Sequence, residues 1–113
     1  MIAIDSKIIN GTSLAASFNS DPINVSKVKE LDVQLAADAG DAAGVFYFAT
    51  RNRTTEDFVR QSVPTVAKVA ASALAAKVPV DVNAALQMRI EYVRSAGGTA
   101  QTVDGFALGM SNR

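Results

Sequence analysis

The sequence contains no histidine, no cysteine and no tryptophan among its 113 residues. Histidine and cysteine supply the usual general bases and thiolate nucleophiles, and they are the ligands of most zinc, haem and iron–sulfur sites. Their absence excludes these chemistries. The glycines form neither a dinucleotide-binding nor a phosphate-binding loop motif. We therefore expect a protein that is not an enzyme and that holds no cofactor and no metal.

The chain also lacks a charge excess, because eleven basic residues balance eleven acidic ones. Nucleic-acid affinity depends on clustered Lys and Arg that release counterions, and no basic stripe is present. No apolar run approaches the ~18 residues that cross a bilayer. Asp5 interrupts the N-terminal apolar stretch where a signal peptide would continue. We expect neither nucleic acid nor a membrane as partner, and synthesis in a cytoplasm.

Pairs of carboxylates are the remaining candidates for chemistry. A calcium site needs about six to eight oxygen ligands, and the DAGDAAG loop offers two carboxylates, so turn formation explains that loop better. Adjacent acids in a strand point to opposite faces, whereas acids two residues apart share one. A solvated strand face explains the latter spacing better than a hydrolase site does. The pairs considered are Asp38 with Asp41, Glu56 with Asp57, and Glu30 with Asp32.

Apolar residues alternate with polar ones along most of the chain, which predicts strands. The segments are 23–37, 45–49, 58–63, 86–93 and 99–110. The glycine-containing segments DAGDAAG and SAGG predict two hairpins, one joining the first two strands and one joining the last two. Strands at a spacing of about 8 to 12 residues are typical of a small β-sandwich of Greek-key or jelly-roll type. The predicted fold class is all-β.

Residues 65–78, TVAKVAASALAAKV, permit two interpretations. Alanine has the highest helix propensity, and the apolar residues of this segment fit one helical face. The segment also alternates acceptably as a strand, Pro64 and Pro79 bracket it, and the surrounding chain has period two. We predict a strand, with a helix as the alternative.

The first 22 residues predict an extended N-terminal arm and loop, and residues 23–113 predict a single sandwich domain. Ile2, Ile4, Ile8 and Ile9 would fray in water unless they paired with a sheet edge, either in the same subunit or in a neighbour. The densest positive cluster, at Arg51 and Arg53, suits an acidic partner surface. These six residues form the candidate interface: Ile2, Ile4, Ile8, Ile9, Arg51 and Arg53.

Three segments of the chain follow a recurring pattern: SFNSDPINV, LDVQLAADAGDAAGVFYFATRN and LQMRIEYVRSAGGTAQTVDGFALGM. Through these segments, residues 20–110 resemble small β-sandwich proteins of tailed-bacteriophage particles. These proteins usually have a tryptophan in the middle segment. This sequence lacks it, and Phe58 is the candidate replacement. The matching residues are Ser20, Ile23, Val25, Val33, Gln34, Gly44, Asn52, Met88 to Tyr92, Ser95, Gly97 and Gly98.

The resemblance implies a capsid cement or decoration protein on the outer surface of a virion assembled in the host cytoplasm. The implied partners are the major capsid protein and further copies of the chain, with a trimer favoured. The alternative is a ligand-binding sandwich module that recognises a carbohydrate or a receptor, such as part of a tail or head fibre. Such modules present aromatic rings to sugars, and Tyr47 and Tyr92 are the candidates.

Overall fold

The computed structural model describes residues 1–82 and 84–111. The regular secondary structure of these residues consists of β-strands. The predicted all-β fold is confirmed. The strands form two antiparallel sheets that pack face to face. Their bounds are β1 (Ile2–Ser13), β2 (Phe18–Asn19), β3 (Ile23–Asn24), β4 (Glu30–Ala37), β5 (Ala43–Arg51), β6 (Val59–Lys68), β7 (Leu74–Val80), β8 (Gln87–Ala96) and β9 (Thr102–Met110).

The strand order identifies a jelly roll. The four-stranded sheet has the order β1-β9-β4-β7, and the five-stranded sheet has the order β2-β8-β5-β6, with β3 also paired to β8. The short strands β2 and β3 together occupy one edge position. The chain then alternates between the sheets at every connection except β5 to β6, which is the arrangement of two interlocked Greek keys.

Both predicted hairpins are wrong, although their strands are present. β4 and β5 lie in different sheets, and so do β8 and β9. The connecting loops, residues 38–42 and 97–101, are long enough to cross the ~10 Å between packed sheets. Alternation in the sequence identifies a strand and its buried face, but it does not determine which strand lies beside it.

Side chains hold the crossing loops in place. The Nε2 of Gln101 donates to the carbonyl oxygen of Asp38, and its Oε1 accepts from the Ala42 amide at 2.9 Å. The Asp41 carboxylate accepts from the Gly98 amide at 2.9 Å, so this acid stabilises a turn. Lys68 is only 2% exposed, and its Nζ lies 3.0 to 3.4 Å from three backbone carbonyl oxygens. These contacts join both crossing loops to β6.

The helical alternative for residues 65–78 is wrong, and the strand predicted there is interrupted by a turn. β6 continues to Lys68, a turn occupies residues 69–73, and β7 starts at Leu74. Val66, Lys68 and Leu74 point into the core from these strands. Burial of one face in each sheet outweighs the helix propensity of alanine, which amounts to less than about 1 kcal/mol per residue.

Two of the predicted strands differ from the structure by more than a shift of a few residues at an end. The strand predicted over 23–37 is interrupted at residues 25–29, where the Asn24 side chain accepts from the Ser26 amide at 2.9 Å. β6 runs on through Pro64, although the sequence predicts that the strand ends there. Its residues 61–64 bulge, because Tyr47 pairs with Thr65 whereas Ala49 pairs with Arg60. Proline is tolerated at such a site on an edge strand, where its missing amide leaves no ladder bond unmade.

The core is built around Tyr92, whose ring centroid lies 4.6 Å from that of Phe46 and 5.5 Å from that of Phe18. Gly44 makes room for this cluster, since a Cβ there would lie 2.6 Å from the Tyr92 ring. Burial raises the pKa of the Tyr92 hydroxyl, with Arg94 opposing the shift. Tyr92 is therefore a core residue and is not available as a ring for sugar stacking.

Candidate interaction surfaces

The N-terminal arm is an edge strand of the sandwich, because β1 pairs with β9 of the same chain. Ile9 is 2% exposed in the core, and Ile4 and Ile8 pack against it. Ile2 alone of the four isoleucines is mostly exposed, and it pairs with Met110. Of the two docking alternatives for the arm, the structure has the one within the subunit. Contact of these isoleucines with a partner stays a prediction, and Ile2 is the most accessible of them.

β9 differs from an ordinary half-buried strand, in which the large apolar side chains face the core. Its small residues face the core, and its large apolar residues Phe106 and Leu108 face outward, 44% and 40% exposed. A Cβ at Gly105 would lie 3.2 Å from Ile9, and one at Gly109 would lie 3.1 Å from Val28. Side chains of neighbouring segments thus occupy the space above the glycines, which leaves the large residues of β9 in solvent.

Charged residues on the neighbouring strands border these outward apolar side chains in two rows. Leu108 pairs with Asp5 on β1 and Asp32 on β4, and Pro79 on β7 follows in the same row. We call this set the aspartate row. It is acidic on both sides of an apolar residue.

The next row has the opposite charge. Phe106 pairs with Lys7 on β1 and Gln34 on β4, and Lys77 on β7 completes this lysine row. The Lys7 ammonium lies 5.4 Å from the centroid of the Phe106 ring. The outer face of the four-stranded sheet therefore carries an apolar stripe along β9, crossed by one negative and one positive row.

The other sheet carries a cluster of arginines around Phe58, on its outer face. The guanidinium carbons of Arg51 and Arg89 each lie 4.3 Å from the centroid of the Phe58 ring. Arg60 and Arg89 both bind Glu91, at 2.5 and 2.7 Å. We call these five residues the Phe58 cluster. Together they form an ordered, partly apolar surface that is built from charged side chains.

Glu91 is the electrostatic centre of the Phe58 cluster. Burial raises the pKa of its carboxyl, but the hydrogen bonds and charges of Arg60 and Arg89 outweigh this and hold the pKa below its ordinary value. The glutamate is thus a stable anion that orients two arginines. Charge-assisted hydrogen bonds of this kind are stronger than neutral ones.

The two arginines predicted as contact residues lie in different environments. Arg51 is half-buried, and it binds the Gln87 side chain at 2.8 Å and the Glu56 carbonyl at 3.2 Å. Arg53 is exposed in the loop between β5 and β6. Arg51 therefore supports the Phe58 cluster from within, whereas Arg53 is free to reach a partner.

Two of the carboxylate pairs considered from the sequence line grooves at the surface: Glu30 and Asp32 line one groove, and Glu56 and Asp57 line another. Within residues 1–82 and 84–111, no three Asp or Glu side chains group closely enough to hold a metal ion. Tyr47 is half-buried beneath Arg60, whose guanidinium carbon lies 4.5 Å from the ring centroid. No helix in this part of the chain is long and apolar enough to span a membrane.

Neither surface is predicted from the sequence as an assembly. Phe58 stands out only through the resemblance, and its arginine partners come from three different strands or strand ends. The outward residues of β9 carry a usable signal, since DGFALGM alternates small and large residues strictly. Alternation alone leaves open which of the two sets faces the core.

The chain matches no protein-family model and no curated protein sequence. Among solved structures, it is similar to the crystal structure of the SPBc2 prophage-derived protein YomS, with a TM-score of 0.58 and 15% sequence identity. The similarity covers 93% of this chain and 91% of that one. At this identity, it shows a shared fold that extends over nearly the whole of both chains.

Proposed function

We propose that the protein is a structural subunit of a tailed-phage particle, and more specifically a capsid cement or decoration protein. The observation that carries the proposal is the fold shared with a prophage-derived protein over 93% of this chain. Jelly rolls are also frequent among viral capsid domains. The resemblance of residues 20–110 to phage decoration proteins points the same way.

The proposed mechanism is mechanical, and no bond is made or broken. The subunit sits on the outer capsid surface and contacts the major capsid protein. Further copies of the chain add their contacts around a symmetry axis. Because several weak contacts act together, a modest interface for each subunit suffices to stabilise the shell. The zero net charge suits the outer surface better than the DNA-facing interior.

The Phe58 cluster and Arg53 form the surface that we assign to the capsid. Arginine and aromatic residues dominate the energetics of protein interfaces, and hot-spot side chains that are ordered in advance lose less entropy on binding. Glu91 and Phe58 order the arginines of this cluster before any partner arrives. The exposed Arg53 adds a charge that favours an acidic partner surface.

The proposal is tested by co-sedimentation with expanded capsid shells of the phage that encodes the chain. We expect saturable binding, and we expect Arg53→Glu to weaken it about tenfold through loss of charge complementarity. Lys27→Glu is the matched control, because it makes the same charge change in the exposed loop after β3. Absence of binding by the unmodified protein would contradict the assignment to the capsid.

A carbohydrate- or receptor-binding module of a fibre is the second candidate, favoured by the occurrence of the jelly roll among lectins. With Tyr92 in the core, Tyr47 is the tyrosine left for sugar stacking. A glycan array separates the two functions. A saturable signal that Tyr47→Ala abolishes would favour the module over the capsid protein.

A further inference from the structure

The outer face of the four-stranded sheet has the charge pattern of a surface that fits a second copy of itself. The aspartate row and the lysine row are neighbours, roughly 7 Å apart along the strands. On β1, the aspartate row ends at Asp5 and the lysine row ends at Lys7, with Ser6 between them. An interface with two-fold symmetry brings one surface against itself, so it requires such self-complementarity.

The charges distinguish between two ways of placing the faces together. A two-fold axis parallel to β9 would set aspartate row against aspartate row, and the like charges would repel. The other axis lies parallel to the sheet face, runs perpendicular to the strands and passes between the two rows. It sets the aspartate row of each copy against the lysine row of the other. Asp5 then faces Lys7 of the second copy, and Leu108 meets its Phe106. Each of these contacts occurs twice.

The charges on this face are available for such pairing. Lys77 lies 3.9 Å from Asp32, and Lys7 lies 3.3 Å from Asp104, in pairs whose side chains are 38% to 66% exposed. Exposed ion pairs of this kind contribute little to stability, so exchanging them for contacts with a second copy costs little. Asp5 makes no ion pair with any residue in the described part of the chain.

We infer that this face binds a second copy of the chain about a two-fold axis perpendicular to β9, with the aspartate row of each copy against the lysine row of the other. Four strands of about nine residues span roughly 19 Å by 30 Å, so the contact buries on the order of 1,100 Å² in total. This area lies just above the ~1,000 Å² expected of a specific interface. The dimer is therefore reversible and depends on concentration.

The apolar stripe supplies the centre of this interface. Phe106 and Leu108 are exposed on the outer face of the sheet instead of being buried in the core. Val63 and Pro64, in the bulge of β6, form a groove with Leu108 and Met110 at the acidic end of the stripe. Aromatic and aliphatic residues at the centre, with charges at the rim, are the usual anatomy of a protein interface.

The experiment is sedimentation velocity over a concentration series from micromolar to millimolar. We expect the mass to rise from 11.8 kDa to twice that value. Asp5→Lys sets lysine against Lys7 of the second copy and should raise the dissociation constant about tenfold. The exchange variant Asp5→Lys with Lys7→Asp restores opposite charges across the axis and should return the constant to within about threefold of the original.

Asp21→Lys is the control, since it makes the same charge change on an exposed loop next to the other sheet. The thermal midpoint of each variant verifies that it is folded. A protein that stays at 11.8 kDa, a three-fold assembly, or an exchange variant that fails to recover would each overturn the inference.

The proposed dimer stands in place of the trimer that the resemblance implies, but it is independent of the capsid role, because it depends on the surface pattern alone. A monomer that binds capsid shells would contradict the dimer and leave the capsid role standing. A dimer that ignores capsid shells would do the reverse.

Discussion

Two buried charged residues, Glu91 and Lys68, are accommodated in different ways. Glu91 has two arginine partners, so its charge is neutralised by ions at the surface of the sheet. The Lys68 ammonium donates to three backbone carbonyl oxygens, two in the 38–42 loop and one at Val69, so it replaces water as their donor. Both residues satisfy the rule that a buried charge must be paired or fully hydrogen-bonded. Each arrangement combines a near neighbour in the sequence with a distant segment: Arg60 joins Arg89 at Glu91, and the 38–42 loop joins Val69 at Lys68.

Replacing Glu91 by Gln should lower the free energy of unfolding by about 2 kcal/mol at neutral pH, because two charge-assisted hydrogen bonds are lost. Since the pKa of Glu91 is lowered on folding, its contribution is present above its ordinary value of 4.5 and disappears as the pH falls through the folded value. Urea titrations at neutral pH and at about pH 3 measure this.

The difference between Glu91→Gln and the original protein should therefore shrink on acidification. Glu56→Gln, on the exposed loop, is the control and should change little at either pH. A difference for Glu91→Gln that is the same at both pH values would show that packing, and not charge, is responsible.

At the scale of elements, two glycines are required for different reasons, one in the turn from β8 to β9 and one in β1. Gly98 has a φ of +87°, and a Cβ there would lie 2.4 Å from the carbonyl oxygen of Leu14. Gly11, in β1, has a φ of +58°, but a Cβ at this position would have open space within 4 Å. The first glycine is required by conformation and by space, whereas the second is required by conformation alone.

Gly11→Ala should cost about 1 kcal/mol of stability, which is the strain of an alanine in the left-handed region. Gly98→Ala should cost at least about 3 kcal/mol, because the turn must also move away from Leu14. Thermal and urea unfolding of both variants measure the difference. Equal costs at the two positions would contradict the close approach at Gly98.

At the scale of the whole molecule, the crossing connections make the two sheets one cooperative unit. β1 contributes Ile9 to the core and covers one edge of β9. Without it, the space over Gly105 that Ile9 now occupies would be empty. The segment predicted as an arm is therefore required to complete the core, which an ordinary flexible arm is not.

Deletion of residues 1–13 should abolish cooperative unfolding, because loss of Ile9 from a core costs several kcal/mol and a small domain has only about 5 to 15 kcal/mol in total. Deletion of residues 1–3 is the control and should leave most of the stability, since Ile4, Ile8 and Ile9 remain. Calorimetry distinguishes the two. A folded 14–113 fragment would show that β1 is dispensable.

Local sequence is enough to determine the all-β class and the positions of most strands. It also shows directly that the histidine and cysteine used by common enzymes and metal sites are absent. These follow from alternation and composition, which act over a few residues. Tertiary packing determines the jelly-roll pairing, the two strand segments and the turn within residues 65–78, the outward Phe106 and Leu108, and the Phe58 cluster. Each of these depends on which distant segment supplies the neighbouring atoms: Ile9 fills the space over Gly105, and Glu91 collects arginines from two strands.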